Sequence, residues 1–151
     1  MKEKNMLNIN IEELIPHRDQ MKLADKIIEA GEQYSVTESI ATDKWPLAQD
    51  DGVNPLVLIE LAAQTSAICV VWKEFEKNGK TKGGKGWLVG IKKADFYIDT
   101  IPFNSRITTR SEINYSMENL TEIKGISKIG EDIIGEMKLQ VFRSDEEKEA
   151  D

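Results

Sequence analysis

The longest apolar stretch of the chain lies between Asn54 and Lys77 and predicts a helix surrounded by the rest of the domain. Only four of the residues from Pro55 to Trp72 are polar: Glu60, Gln64, Thr65 and Ser66. Asn54 is a favoured N-cap and Pro55 suits the first helical position. Asn78-Gly79 is a typical end signal. A helix that is apolar on nearly every face is either buried or membrane-spanning.

Two polar residues in the middle of this segment favour burial over a membrane span. Glu60 and Gln64 lie near its centre, and the chain has no second segment of this kind. A carboxylate carried into an apolar interior costs several kcal/mol unless it is paired or protonated. Glu60 is therefore the leading candidate for a functional acid. The alternatives are that Glu60 faces the surface, or that it is a fully satisfied interior carboxylate.

Alternating patterns and turn residues predict strands on both sides of the helix. The predicted strands are 21–29 and 33–42 before the helix, and 87–98, 106–116, 121–129 and 133–142 after it. A helical or irregular lead-in at 9–14 and a turn at 15–19 precede them. The connecting loops are 44–52 and the basic, glycine-rich 78–86. We expect one domain over 1–151, with frayed ends at 1–8 and 144–151. This order predicts an α+β fold with an antiparallel sheet curled around one long helix.

Charge and composition exclude several classes of function. The formal net charge of −7 argues against general nucleic-acid binding, which needs a basic surface. No apolar leader follows the amino terminus, so a cytoplasmic protein is expected. The single cysteine, Cys69, lies among apolar helix residues and is predicted to be buried and inert. One histidine and one cysteine far apart predict no metal site, and no other cofactor is expected.

Three stretches, taken together and in order, resemble a known enzyme family. They are Leu14-Ile-Pro-His-Arg18 with Met21-Lys-Leu-Ala-Asp-Lys26, then Leu56-Val-Leu-Ile-Glu-Leu-Ala-Ala-Gln64, then Leu88-Val-Gly-Ile-Lys-Lys-Ala-Asp-Phe96. These resemble motifs of the FabZ-like 3-hydroxyacyl-acyl carrier protein dehydratases over roughly residues 9–142. The resemblance implies the hotdog fold, a homodimer or higher even oligomer formed edge to edge, and an acyl thioester substrate on acyl carrier protein.

The chain also departs from this family at the catalytic loop. The family carries Gly-His-Phe-Pro-Gly, with the histidine fourteen residues before the helix glutamate, and here that position is Pro46. Asn54-Pro55 replaces the Pro-Gly that opens the family's helix. The chain looks closer to a divergent branch of these dehydratases found in aryl polyene pathways, which also lacks Gly-His-Phe-Pro-Gly but keeps Pro-His-Arg and the helix glutamate.

The resemblance implies a distribution of catalytic roles. Dehydration needs a base for the C2 proton, an acid for the C3 hydroxyl and donors to the thioester oxygen. As the only histidine, His17 would be the base and Glu60 the acid, while Gln64 would orient Glu60 or a water. Since Pro55 has no N–H, Leu56 and Val57 would supply the backbone donors. A purely structural turn histidine is the alternative for His17.

Further residues are candidates for binding. Trp45, Trp87 and Phe96 would line an acyl tunnel, with ordinary core packing as the alternative. Lys92 and Lys93 would dock an acidic carrier that the net charge of −7 otherwise repels. A solvated strand edge is the alternative there.

Three functions remain open from the sequence. The first is dehydration of a 3-hydroxyacyl thioester to the trans-2-enoyl thioester. The second is hydrolysis by a hotdog thioesterase, in which Glu60 would activate water. The third is a non-catalytic acyl-binding or partner subunit, since the histidine loop is missing.

Overall fold

A computed structural model describes residues 22–78 and 85–144 of the chain. The expected turn with His17 and both termini lie outside the described residues. The elements are β1 Lys26–Ala30, β2 Tyr34–Ile40, α1 Val57–Asn78, β3 Lys85–Phe96, β4 Arg106–Met117, β5 Leu120–Ile129 and β6 Asp132–Ser144. Within the described residues, two strands, one helix and four strands follow in the predicted order. The α+β prediction is confirmed.

The six strands form one antiparallel sheet that packs against the helix. Their spatial order is β1-β2-β4-β5-β6-β3, so β1 and β3 are the edge strands. Short turns join β4 to β5 and β5 to β6, with positive φ at Glu118 (55°) and Gly130 (61°). The left-handed conformation at these positions lets each strand reverse direction within two residues.

The inner face of the sheet carries hydroxyl side chains that bind the helix backbone. Ser35 Oγ donates to the carbonyl of Thr65 at 2.6 Å, and Ser111 Oγ donates to the carbonyl of Ala62 at 2.8 Å. The outward residues of β2 include the half-buried Tyr34. The apolar alternation of β2 is therefore weak in sequence, because serine and threonine occupy its buried positions.

Two glycines let the helix approach the sheet closely. A Cβ at Gly125 on β5 would lie 2.8 Å from Cβ of Ala62, and one at Gly135 on β6 would lie 2.8 Å from Cδ1 of Leu58. Both distances are shorter than real Cβ contacts. Because the Cβ of Ala62 cannot rotate away, the absence of a side chain at Gly125 limits how closely α1 can lie to the sheet.

Several predicted boundaries are wrong by a few residues. The helix begins at Val57 rather than Pro55, because residues 55 and 56 form a turn. β3 begins at Lys85, inside the predicted loop, and β6 continues through Ser144, where the tail was expected to start. β1 begins at Lys26, five residues later than predicted.

The core lies between the sheet and one face of α1. Its largest fully buried side chains include Leu58, Leu61, Ile68, Ile107 and Leu139. Cys69 is buried beside this core as predicted, and burial raises the pKa of its thiol to about 11. In the described part of the chain, no helix has the length and apolar character needed to cross a membrane.

Candidate functional site

The centre of the candidate site is a hydrogen bond between two side chains one helical turn apart. Nε2 of Gln64 donates to Oε1 of Glu60 at 3.1 Å. The other end of the Gln64 amide, Oε1, accepts the backbone N–H groups of Leu23 at 2.9 Å and Ala24 at 3.3 Å. Gln64 is fully buried. Its amide therefore joins the Glu60 carboxylate to the chain segment that leads into β1.

Glu60 is half-buried, and the expectation of a deeply buried carboxylate is corrected. Helix residues on its side, such as Ile59, Ala63 and Ala67, are also half-buried, whereas Leu58, Leu61 and Ala62 are buried against the sheet. The sheet covers one face of α1 and leaves the Glu60 face more accessible. Because both faces of the helix carry mostly apolar residues, the sequence does not show which face the sheet covers. The burial of Glu60 was therefore overestimated.

The opening turn of the helix is organised by Asn54. Oδ1 of Asn54 accepts the N–H of Leu56 at 2.9 Å, and its carbonyl accepts the N–H of Val57 at 3.1 Å. The two backbone groups predicted to hold a thioester oxygen thus already have protein acceptors. Leu56 itself is 51% exposed, so this end of the helix faces solvent.

The loop before the helix holds a residue in an unfavourable backbone conformation. Leu47 has φ 67°, in the left-handed region that is costly for a branched, bulky residue. Its carbonyl accepts the N–H of Asn54 at 3.0 Å. Pairing of Val53 with Ala48 and with Ile101 holds the same loop in place. The loop that replaces Gly-His-Phe-Pro-Gly is therefore ordered and anchored to Asn54.

The aromatic candidates lie in different surroundings. Trp45 is only 8% exposed and belongs to the hydrophobic core. Phe96 is partly buried and packs against the same core. Trp87 pairs through its backbone with Phe142 on β6. Core packing accounts for the position of Trp45.

The two lysine candidates on β3 are each paired with an acid. Nζ of Lys92 lies 2.9 Å from Oε1 of Glu122, and Nζ of Lys93 lies 3.6 Å from a carboxylate oxygen of Asp95. The hydrogen bond from Lys92, together with one from Asn114, lowers the pKa of Glu122, and the same bond raises the pKa of Lys92. The Lys93 side chain is 68% exposed and the Lys92 side chain 48%.

Within residues 22–78 and 85–144, no three His, Cys, Asp or Glu side chains converge as metal ligands. The pairing of Glu122 with Lys92 was not predicted from the sequence. Neither residue is near the other in the chain, so only sheet register brings them together. Asn54 was recognised as a helix cap, but its links to Leu47, Leu56 and Val57 depend on the folded loop.

Comparison with known sequences gives a family match over almost the whole chain. The family model described as ApeP-like, ApeP dehydratase, matches residues 9–150. The 3-hydroxyacyl-[acyl-carrier-protein] dehydratase FabZ of Caldanaerobacter subterraneus subsp. tengcongensis is 32% identical over 147 residues, covering 93% of this chain and 100% of that protein. FabZ of Clostridium botulinum strain Okra is 34% identical over 134 residues, covering 82% of each chain.

A solved structure shares the fold. A chain of the dehydratase heterocomplex ApeI:P from Xenorhabdus doucetiae superimposes with a TM-score of 0.81 at 14% identity, covering 94% of this chain and 95% of that chain. The hotdog architecture expected from the sequence is confirmed, and so is the resemblance to FabZ-like dehydratases.

Proposed function

Since this chain belongs to the ApeP-like dehydratase family, we propose that it removes water from a 3-hydroxyacyl chain carried on acyl carrier protein. The reaction breaks the C2–H and C3–O bonds, forms the C2–C3 double bond, and yields the trans-2-enoyl thioester and one water. The observation that carries the proposal is the Glu60–Gln64 pair on the accessible face of α1. Family membership supplies the substrate class.

Glu60 is proposed to deliver a proton to the departing C3 hydroxyl, directly or through water. Because Gln64 Nε2 donates to Oε1 of Glu60, that oxygen serves as an acceptor. A proton carried by Glu60 would therefore be on Oε2. Gln64, at 0% exposure, is a positioning residue and does not touch the substrate.

His17 is proposed to take the C2 proton. It is the only histidine in the chain and comes six residues before Leu23, whose N–H is held by Gln64. Its place in the stretch Leu14-Ile-Pro-His-Arg18, which resembles the family motif, supports this role. His17→Ala is expected to abolish turnover while leaving the unfolding midpoint unchanged.

The acyl chain is proposed to run along the half-buried aromatic surface that includes Phe96. Trp45 would support this surface from the core. The exposed side chain of Leu56 (51%) adds apolar surface at the helix start. A chain-length profile of wild type against Phe96→Ala tests this role, since a shift in preferred length is expected.

Carrier protein is proposed to dock on Lys92 and Lys93. Lys93 is the better exposed of the two, and Lys92 lies beside it on the same edge strand. Lys93→Glu should weaken carrier binding while leaving turnover of a free pantetheine thioester unchanged. Lys26→Glu, on the opposite sheet edge and with a similarly exposed side chain (60%), is the matched control.

The oligomer is proposed to form through the β3 edge. Leu88, Val89 and Ile91 on this strand are 37%, 56% and 52% exposed. An apolar edge strand in solution promotes association with another edge. Sedimentation of Ile91→Glu should show a smaller species than wild type; unchanged sedimentation would exclude this edge. We also propose a cytoplasmic location, because the proposed substrate is carried on acyl carrier protein.

The deciding experiment supplies 3-hydroxyacyl-carrier-protein substrates of several lengths and measures water loss and free thiol in parallel. Glu60→Gln removes the acid, and Glu112→Gln, an exposed carboxylate on the outer face of β4, is the charge-matched control. Water loss in wild type and the control, but not in Glu60→Gln, supports the dehydratase. Release of free thiol from saturated acyl thioesters would identify a thioesterase. No activity on any substrate would identify a partner subunit.

A further inference from the structure

Asp25 lies immediately before β1, at the point where the chain enters the sheet. The register pairs Lys26 with Glu38, and the N–H of Asp25 donates to the carbonyl of Glu38 at 3.1 Å. In a regular antiparallel ladder, the N–H of Ile40 would bond to a backbone carbonyl of the neighbouring strand. It donates instead to Oδ2 of Asp25 at 2.9 Å. The Asp25 carboxylate therefore replaces a backbone acceptor at the end of the ladder.

The alternation of buried and exposed side chains also breaks at Asp25. Successive residues of a strand face opposite sides of the sheet, and Ile27 is buried while Lys26 is exposed. Continued alternation would bury the side chain of Asp25, but that side chain is exposed. Ala24 and Leu23 are both fully buried. The chain thus departs from the path of β1 at Asp25.

The segment before Asp25 is bound to the helix. The N–H groups of Leu23 and Ala24 donate to Oε1 of Gln64 at 2.9 and 3.3 Å. Nε2 of Gln64 donates in turn to Oε1 of Glu60 at 3.1 Å. Asp25 is the next residue after Ala24, and its two hydrogen bonds to β2 hold one end of this segment. A continuous set of hydrogen bonds therefore leads from β2 through Asp25 to the Glu60 carboxylate.

We propose that Asp25 is a positioning residue for Glu60, the acid of the proposed dehydratase reaction, on which this inference rests. By holding the segment against β2, Asp25 places the two N–H groups that orient the Gln64 amide. Asp25 makes no ion pair among the described residues, so its side chain acts as a hydrogen-bond acceptor and not as a charge. Water could accept the N–H of Ile40 in its place, but water could not tether the chain.

Two substitutions of Asp25 test the acceptor role. Asp25→Ala removes the acceptor, so kcat should fall about 10-fold with KM within about twofold of wild type, because Glu60 is displaced and no substrate contact is lost. Asp25→Asn keeps an oxygen for the N–H of Ile40 and should retain kcat within about twofold of wild type. Thr42→Val is the matched control, since it removes an exposed acceptor of another backbone N–H, that of Lys44 at 3.2 Å. The control should behave like wild type.

A kinetic double-mutant cycle tests whether Asp25 acts through Gln64. Gln64→Glu keeps an oxygen for the N–H groups of Leu23 and Ala24 but removes the donor to Glu60. In that background, Asp25→Ala should lower kcat by less than about twofold. An equal loss of kcat in both backgrounds would show that the effect bypasses Gln64 and would overturn the assignment. So would a kcat of Asp25→Ala within about twofold of wild type, or an equal loss in Asp25→Asn and Asp25→Ala.

Amide hydrogen exchange tests the positioning without turnover. In Asp25→Ala, the N–H groups of Leu23 and Ala24 should exchange at least about 10-fold faster than in wild type, while the unfolding midpoint stays close to that of wild type. Asp25→Asn should leave their exchange unchanged. Unchanged exchange in Asp25→Ala would refute the positioning role. A wild-type protein that releases no water from any substrate but shows this difference in exchange would refute the dehydratase proposal while supporting the role of Asp25.

Discussion

Gln64 fixes the Glu60 carboxylate because the orientation of its own amide is not free. Two backbone N–H groups, those of Leu23 and Ala24, lie 2.9 and 3.3 Å from one end of the amide, which must be its oxygen. The NH₂ end is then forced to face Glu60, 3.1 Å away. One buried side chain thus links the entry to β1 with the proposed catalytic acid.

Gln64→Leu should destabilise the protein by about 2–4 kcal/mol, because two buried N–H groups lose their acceptor.

Gln64→Glu keeps an oxygen for those groups but brings a second carboxyl against Glu60. The two carboxyls would then share a proton, so turnover should fall with a changed pH profile at a smaller stability cost. Urea unfolding and pH–rate profiles measure both effects. Gln33→Leu, on an exposed residue, is the stability control, and unchanged pH dependence in Gln64→Glu would contradict the positioning role.

Gly125→Ala should destabilise the fold by about 1–3 kcal/mol through overpacking, because its Cβ would lie 2.8 Å from that of Ala62. Ala62→Gly in the same chain should recover part of this loss, less the cost of a helical glycine. Gly31→Ala meets only the Tyr34 carbonyl, at 3.7 Å, and should be near neutral. A double-mutant cycle without coupling between 125 and 62 would argue against the close approach.

Ser39→Ala should leave stability unchanged or raise it slightly. Oγ of Ser39 is buried and has no hydrogen-bond partner within the described ranges, so its removal relieves a desolvation cost. Ser111→Ala removes a bond to the Ala62 carbonyl and should cost about 1 kcal/mol. Thermal unfolding of the two variants distinguishes them. If Ser39→Ala lost as much stability as Ser111→Ala, Ser39 would have a hydrogen-bond partner, such as a buried water.

The Lys92–Glu122 pair should make stability depend on pH in the acid range. The pKa of Glu122 is held below its ordinary value of 4.5 by Lys92 and Asn114. A depressed folded-state pKa adds stability that is present above pH 4.5 and lost as pH falls through the folded-state value. Wild type should therefore exceed Glu122→Gln in urea midpoint at pH 7, and the difference should shrink by pH 3. A constant difference across this range would rule out the pair as its source.

The fold was predictable because its signals are local. Polar turn residues bound each strand, and the apolar run after Asn54 is too long for a strand. The boundary errors arose where pairing overrides local preference: Lys85 and Ser144 extend β3 and β6 because they pair with each other. The inner face of β2 was hard to recognise because its buried Ser35 and Thr37 are polar and are satisfied by Thr65.

The sequence by itself determined the order of elements, the helix that carries Glu60 and Gln64, and the absence of the usual histidine loop. These depend on residue identity and on spacing within one helix. Only the tertiary structure decided that Gln64 binds Leu23 and Ala24, and that the Glu60 face of the helix is accessible. Hydrogen bonds between residues some forty positions apart depend on how the sheet wraps the helix, and no local pattern of side chains encodes that geometry.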